Sequence, residues 1–372
     1  MYLPILDPRT RVMMFAPHPD DESLAAGVFL QRAVAAGADV RIVYGTDGEK
    51  NCWPQRLLER KMRIGAHDRR RWGARRQAEA IAALRVLHIR PEQVEFLSLP
   101  DQGVTDLLLG GCRETIRQLA DAIITWEPTH LLIPSPADTH PDHSGLALLL
   151  RFAFDNFLPR HHQIQRLEYL IHGASASFAK AARGLPQTSF ESKAKRRAIA
   201  CHVTQVALSR RRFLAYAARP ERFVLNYEKS ILTNDGPIRS FARSRDALHL
   251  RVAFALKPLR AQETSLYLIG QDTLGGLRCL RAALPGRAAR LDLIDCASGA
   301  IAGVGRYQGD AFRAEIFLPA HGFALNRSLH LKLDRRVWFF DEAGWLEIAP
   351  LLPRGTAAAP PRRSATRELA VA

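Results

Sequence analysis

Residues 18–22 read His-Pro-Asp-Asp-Glu, and residues 138–143 read Asp-Thr-His-Pro-Asp-His. Imidazoles and carboxylates are the donors that a hydrolytic zinc site binds at roughly 2.0–2.2 Å. Five side chains are candidates: His18, Asp20, Asp21, His140 and His143. A catalytic zinc takes three protein ligands and keeps one position for water. Five candidates therefore leave a carboxylate to act as general base on that water. They also leave an imidazole to stabilise an oxyanion or protonate a leaving amine, and Asp142 can orient that imidazole. Each cluster alone has a plainer reading. The acids at 20–22 suit a helix start, and 139–143 could be a polar loop with incidental histidines. Finding both in the same setting favours a metal site.

The setting is strand, loop, helix in each case. Arg11–Ala16 and Thr129–Pro134 are short apolar runs that read as buried strands. Glu22–Leu30 and Ser144–Leu150 then open helices. Strands at 38–44, 94–99 and 168–172 alternate with helices at 73–88, 112–126, 143–157 and 191–218. This alternation predicts an α/β fold with a Rossmann-like, mostly parallel sheet and helices on both faces. In the strand order 3-2-1-4-5, strands 1 and 4 flank the switch point, so the two clusters face each other across one crevice. The basic stretch 50–72 reads as an insertion, and 173–190 as a loop or lid.

Composition shifts near residue 235, where Asn234-Asp-Gly-Pro237 signals a turn. Short alternating runs follow: 248–255, 264–270, 290–295, 311–318, 328–333 and 337–340. They predict a C-terminal all-β, sandwich-like domain. The expected division is 1–235 for the domain with the clusters, 236–352 for the β-domain and 353–372 for a disordered Pro-, Ala- and Arg-rich tail. Trp338, Phe339, Phe340 and Trp345 could stack on sugars, but core packing is the favoured reading. His67, His88, His130, His161 and His162 lack any comparable context.

The two clusters resemble the PIG-L/LmbE family of zinc-dependent N-acetyl-sugar deacetylases. The family's His-Pro-Asp-Asp-Glu motif is matched by residues 18–22 and its His-Pro-Asp-His motif by 140–143, with Asp138 also in place. The resemblance implies that His18, Asp21 and His143 hold the metal, that Asp20 is the general base, and that His140 stabilises the tetrahedral intermediate and assists amine departure. Weaker matches follow at Thr46–Glu49, Arg76–Glu79, Leu97–Asp101 and Lys195–Gln205. They imply substrate contacts from Arg76 and Asp101. A helix pair Arg76/Glu79 and a turn-forming Asp101 are the plainer alternatives. Thr204 replaces a usual Ser, and Ala26 a usual Gly. The implied cofactor is Zn2+, with Fe2+, cobalt or manganese also suited to a His/His/Asp set. The implied substrate is an N-acetylglucosamine conjugate, anionic or lipid-linked.

The chain of 372 residues carries 53 Lys+Arg against 37 Asp+Glu, a net charge of +16. Nine basic residues fall in 56–76, with further clusters at 193–197 and 210–212. No nucleic-acid-binding signature accompanies them, so no specific nucleic-acid partner is expected. A basic surface can instead draw an anionic substrate or lipid surface. A high-GC genome favouring Arg is the plainest source of the excess. The five scattered cysteines include no Cys-x-x-Cys, as expected for free thiols in a reducing cytoplasm. No run approaches the ~18 apolar residues of a membrane span, and no secretory-leader pattern opens the chain. The expected location is cytoplasmic, with peripheral membrane contact compatible. The rival reading is a polyanion- or glycan-binding protein with a vestigial metal site.

Overall fold

The computed structural model describes residues 4–158, 164–225, 236–254, 264–337 and 339–351. The boundary expected at 235, His161, His162, Trp338 and the tail at 353–372 lie outside the described residues. The first strand, β1 (Arg11–Ala16), is apolar on both sides because both sides are covered. Val12, Met14 and Ala16 belong to one buried cluster and Met13 and Phe15 to another. The chain continues α1 (Asp21–Ala35), β2 (Asp39–Thr46), α2 (Cys52–Glu59), α3 (Ala66–Val86), β3 (Val94–Leu99), α4 (Val104–Leu109), α5 (Arg113–Trp126), β4 (His130–Pro134) and α6 (Pro141–Phe157). Then come β5 (Gln165–Tyr169), α7 (Ala176–Ala181), β6 (Arg183–Leu185), α8 (Ser189–Cys201), α9 (Val203–Leu214) and β7 (Glu221–Leu225).

These strands form a seven-stranded sheet in the order β3-β2-β1-β4-β5-β7-β6. The pairs from β3 to β5 are parallel, while β7 runs antiparallel to β5 and β6. One face is covered by α1, α3, α8 and α9, the other by α4, α5 and α6. β1 and β4 are direct neighbours, so the loops after them open at the same sheet edge. Several expected boundaries move. The basic insertion is largely helical, as α2 and the first turns of α3. Lys61–Asp68 at 2.7 Å and Arg71–Glu59 at 2.5 Å tie those two helices together. The expected lid contains α7 and β6. The single helix expected at 191–218 breaks at His202, where the Glu79 carboxylate accepts from the Thr204 N–H and hydroxyl.

In the C-terminal region, β8 (Ile238–Arg243), β9 (Ala247–Ala253), β10 (Ser265–Gln271), β11 (Leu277–Ala283), β12 (Ala289–Asp295), β13 (Ile301–Gly309), β14 (Arg313–Pro319) and β15 (Leu329–Asp334) precede a small hairpin, β16 (Arg336–Val337) with β17 (Phe340–Asp341), and then β18 (Leu346–Ile348). The all-β expectation holds, but the two stacked sheets of a sandwich do not form. Nine strands make one antiparallel sheet, β18-β15-β10-β11-β12-β13-β14-β9-β8. All nine contribute to one enclosed apolar cluster, from Ile238 to Ile348. The sheet has therefore curled on itself, nearly as a barrel. Its edges meet through Arg243, whose guanidinium donates to the carbonyls of Ala324, Arg327 and Ala349. No described helix is long and apolar enough to cross a membrane.

The outer face of this sheet packs on α5 and α6. Tyr267, Ile269, Cys279 and Trp345 join the cluster that holds Leu146, Leu149 and Phe152. Gln271 hydrogen-bonds Asn156, and Arg151 bridges Glu168 of β5 and Glu347 of β18. The His330 ring stands edge-on to Phe152 at 5.5 Å. Burial, then the nearby Arg151 charge, push its pKa down to about 3. Folded His330 is thus neutral, and the unfolded chain binds one more proton between its ordinary value near 6.5 and 3. Stability is lost as pH falls through that window. His330→Phe should flatten this acid loss when unfolding midpoints are compared at pH 6.5 and 4. An unchanged slope would show that His330 does not govern the interface.

Candidate metal centre

β1 ends at Ala16, and the chain turns sharply through Pro17 and Pro19 into α1. The turn is closed by its own side chains. The His18 N–H donates to Asp21 Oδ2 at 2.8 Å and the Asp21 N–H to the His18 carbonyl at 3.2 Å. Asp20 adopts φ 138°, a conformation that costs a non-glycine residue of order 1–3 kcal/mol and clusters at functional sites. Its N–H donates to Glu22, which His202 of the α8–α9 junction also holds, at 3.0 Å. On the other side of the crevice, Asp138 shapes the loop after β4. It accepts from the N–H groups of His140, Ile171 and His172 at 2.8–3.1 Å.

Three donor atoms meet between these loops. His18 Nδ1 lies 3.2 Å from His143 Nε2, His143 Nε2 lies 3.2 Å from Asp21 Oδ2, and that oxygen lies 3.4 Å from His18 Nδ1. Ligands at the metal–nitrogen and metal–oxygen distances of tetrahedral zinc stand about 3.3–3.4 Å apart along an edge. The triangle therefore fits one face of such a coordination shell, and its three residues are all buried. Looser donor groups, within 4.8 Å, also bring in His140, His172, Asp101 and Asp142. The tighter triangle is the better candidate, because its donor atoms already have the spacing of a shared ion.

Both imidazoles are held from behind by carboxylates. His143 Nδ1 contacts Asp138 at 3.1 Å, and His18 Nε2 contacts Asp142 at 3.1 Å and Asp101 at 3.4 Å. Such partners fix the tautomer and raise ligand basicity. Burial opposes protonation of His143, but Asp21 and Asp138 outweigh it and raise its pKa to about 9. Burial likewise opposes a charge on Asp21, and His143 and His18 outweigh it, holding the carboxyl well below its usual range. The pocket is thus built to retain positive charge, whether proton or metal.

Three of the expected residues surround the triangle. The Asp142 carboxylate contacts His18 and accepts from the Gln102 and Val104 N–H groups, so only its backbone N–H reaches the His140 ring. Asp101 lies behind His18 and accepts from the Lys50 N–H at 2.6 Å. Arg76 is buried, donating to the carbonyls of Gly48 and Pro19 and standing 3.6 Å from Asp20. It does not pair with Glu79. Gly48 (φ 64°) is the residue that lets the guanidinium pass, since a Cβ there would overlap it. Both the Arg76 guanidinium and the Asp101 carboxylate are buried against the loops of the site.

Asp20 and His140 remain beside the triangle. Burial is the largest influence on Asp20 and raises its pKa to about 6, against the pull of Arg76. Burial, then the neighbouring His18, hold His140 well below its ordinary value, so its ring is neutral. His140 Nδ1 accepts from the Asp142 N–H at 3.2 Å, which leaves the ring proton on Nε2. His172 is the residue that sequence reasoning missed. Its ring centroid lies 4.9 Å from that of His143 and 5.6 Å from that of His140, and burial pushes its pKa down to about 4. The available signal was its place just after β5, a neighbour of β4 in the parallel sheet. A cavity of about 490 Å3 lies between α1, α7 and α8, lined in part by Leu24, Ile171, Gly173, Tyr216 and Lys195 and by none of the triangle residues.

Residues 13–154 match the family model described as PIG-L: GlcNAc-PI de-N-acetylase. A 1D-myo-inositol 2-acetamido-2-deoxy-alpha-D-glucopyranoside deacetylase from Mycobacterium avium (strain 104) is 30% identical over 151 residues, covering 36% of this chain and 47% of that protein. The chain thus spans about half the length of the curated relatives it matches. Among solved structures, the conserved protein TT1542 from Thermus thermophilus is 23% identical, with a TM-score of 0.43, over 62% of this chain and 97% of that one. N,N'-diacetylchitobiose deacetylase from Pyrococcus horikoshii is 20% identical, with a TM-score of 0.45, over 58% and 83%.

The carboxylate behind His143 offers a direct test. Asp138→Asn keeps the shape but removes the charge, and should weaken zinc binding by roughly ten- to hundredfold in competition with a chelating dye. Unchanged affinity would mean that His143 is not a ligand.

Proposed function

Residues 13–154 belong to the PIG-L/LmbE-like deacetylase family, and from that premise we propose that the chain is a metal-dependent N-deacetylase of an N-acetylglucosamine conjugate. The observation that carries this reading is the triangle of His18, Asp21 and His143 donors with Asp20 and His140 beside it. A divalent ion held there, Zn2+ first and Fe2+ as the main alternative, would supply Lewis-acid activation of water and of the amide carbonyl. Asp20 takes the proton from the attacking water. A carboxylate with a pKa of about 6 can both accept and return a proton near neutrality. Arg76 and the Glu22-bound N–H keep that carboxylate in place. Neutral His140 donates its Nε2 hydrogen bond to the charge that develops on the carbonyl oxygen. Asp20 then returns its proton to the departing amine, giving acetate and a free amino sugar.

The surface of α2 supports an anionic or lipid-linked conjugate. Trp53, Leu57 and Met62 are 58%, 55% and 82% exposed on the same Arg-rich stretch, with Arg56 lying over the Trp53 ring. An apolar surface ringed by Arg suits peripheral contact with an anionic membrane from the cytoplasmic side. The strand order around the switch point supports a Rossmann-like N-terminal domain over 1–235, with 236–352 as an accessory β-domain.

The test is amine release from N-acetylglucosamine conjugates, soluble and lipid-linked. Release should be abolished by a chelator and restored by metal. Asp20→Asn should keep its metal but lose at least about a hundredfold in kcat. Wild-type turnover by Asp20→Asn would sink the mechanism. Chelator-independent release would sink the metal.

A further inference from the structure

The C-terminal sheet reaches into the metal centre. The Asp341 N–H donates to the Thr139 carbonyl at 2.8 Å, and the Trp345 N–H to the Pro136 carbonyl at 2.7 Å. Both acceptors lie in the loop that leads through His140 into the first turn of α6, which carries His143. Gly344 makes the approach possible, because a Cβ there would overlap the Pro136 carbonyl and the Ala137 backbone. The hairpin β16–β17 is braced on its inner side by a buried Lys332–Asp341 ion pair and by Arg335–Glu342 at 2.6 Å.

This brace aims one ring at the site. Trp345 is buried in the core, with Lys332 over its ring, as the packing reading expected. Phe340 is not a core residue. It is only partly buried, and its ring centroid lies 5.1 Å from that of His172 and 5.7 Å from that of His140. Phe339 follows at 4.4 Å and is 42% exposed. An aromatic pair therefore runs from the imidazoles of the site outward to solvent. Phe340 stays partly exposed beside the polar groups of the site, and such a ring favours a ligand with an apolar face.

We propose that Phe340, with Phe339 at its rim, forms a sugar-binding subsite contributed by the C-terminal hairpin β16–β17, on which a pyranose ring of the substrate lays its C–H face. The partly exposed ring, its contact with His140 and His172, and the braced hairpin carry the inference. It lies outside the segment that matches the family model, which ends at residue 154, and it rests on the deacetylase reading above. A pre-positioned ring orders the sugar without loss of loop entropy. Its position next to His140 would set the acetamide against the metal-binding face.

The experiment compares Phe340→Ala, Phe340→Leu and Phe340→Trp on N-acetylglucosamine conjugates, with zinc affinity measured for each. Stacking predicts that Ala and Leu both raise KM roughly three- to tenfold, with a smaller fall in kcat and unchanged zinc affinity, and that Trp restores KM. Leu preserves volume without the aromatic face, so a wild-type KM for Phe340→Leu would reduce Phe340 to packing and overturn the subsite. A loss of zinc affinity in all three variants would also overturn it, assigning Phe340 to support of the metal loop. Absence of acetate release from any conjugate by the wild type would overturn the deacetylase reading, and this inference with it.

Discussion

Three donor atoms from two distant loops stand 3.2–3.4 Å apart in a buried pocket, and everything else in the N-terminal half serves to keep them there. Bare lone pairs at that spacing repel one another and have lost their water. They are tolerable only with a cation or protons between them. The carboxylates of Asp138, Asp142 and Asp101 raise the demand for positive charge further. They also hold the rings so that the donor lone pairs converge. The site is therefore poised for metal by its surroundings as much as by its ligands.

That constraint explains the architecture around it. Adjacent parallel strands β1 and β4 bring the loops together, and the interior of the sheet anchors both. α6 begins within the second motif, so His143 and Asp142 ride on the first turn of a helix whose far side packs against the C-terminal sheet. Displacing that sheet would loosen Thr139 and Pro136, which lie in the ligand loop. The β-sheet is in this sense a third wall of the centre, although it supplies no ligand candidate to the triangle. The positive-φ strain at Asp20 is held from two directions, by Glu22 and His202 below and by Arg76 above.

Much of the site was legible in the sequence because its residues occur in two short runs placed after apolar strands. The five candidates needed only spacing and residue chemistry to be picked out, while their division into ligands, base and oxyanion donor rested on the family resemblance. Orientation was not legible. Whether Asp142 faces His18 or His140 depends on how α6 is rotated, and Arg76 turns inward because Gly48 and Pro19 offer carbonyls that no motif announces. β5 was placed too late because Gln165 and Arg166 look like surface residues. That misplacement hid His172 inside a supposed strand. In the C-terminal region, alternation revealed strands but not their pairing. A sandwich and a curled single sheet share the same period, and β11, with Arg278 and Arg281 among its apolar residues, was missed altogether.

The most direct measurement is X-ray absorption at the zinc edge of the reconstituted protein. The expected spectrum has about two imidazoles and additional oxygen donors at roughly 2.0–2.1 Å with no sulfur shell, and His143→Ala should lose one imidazole contribution. A spectrum unaltered by His143→Ala, or one dominated by sulfur, would contradict the claim that His18, Asp21 and His143 form the metal centre.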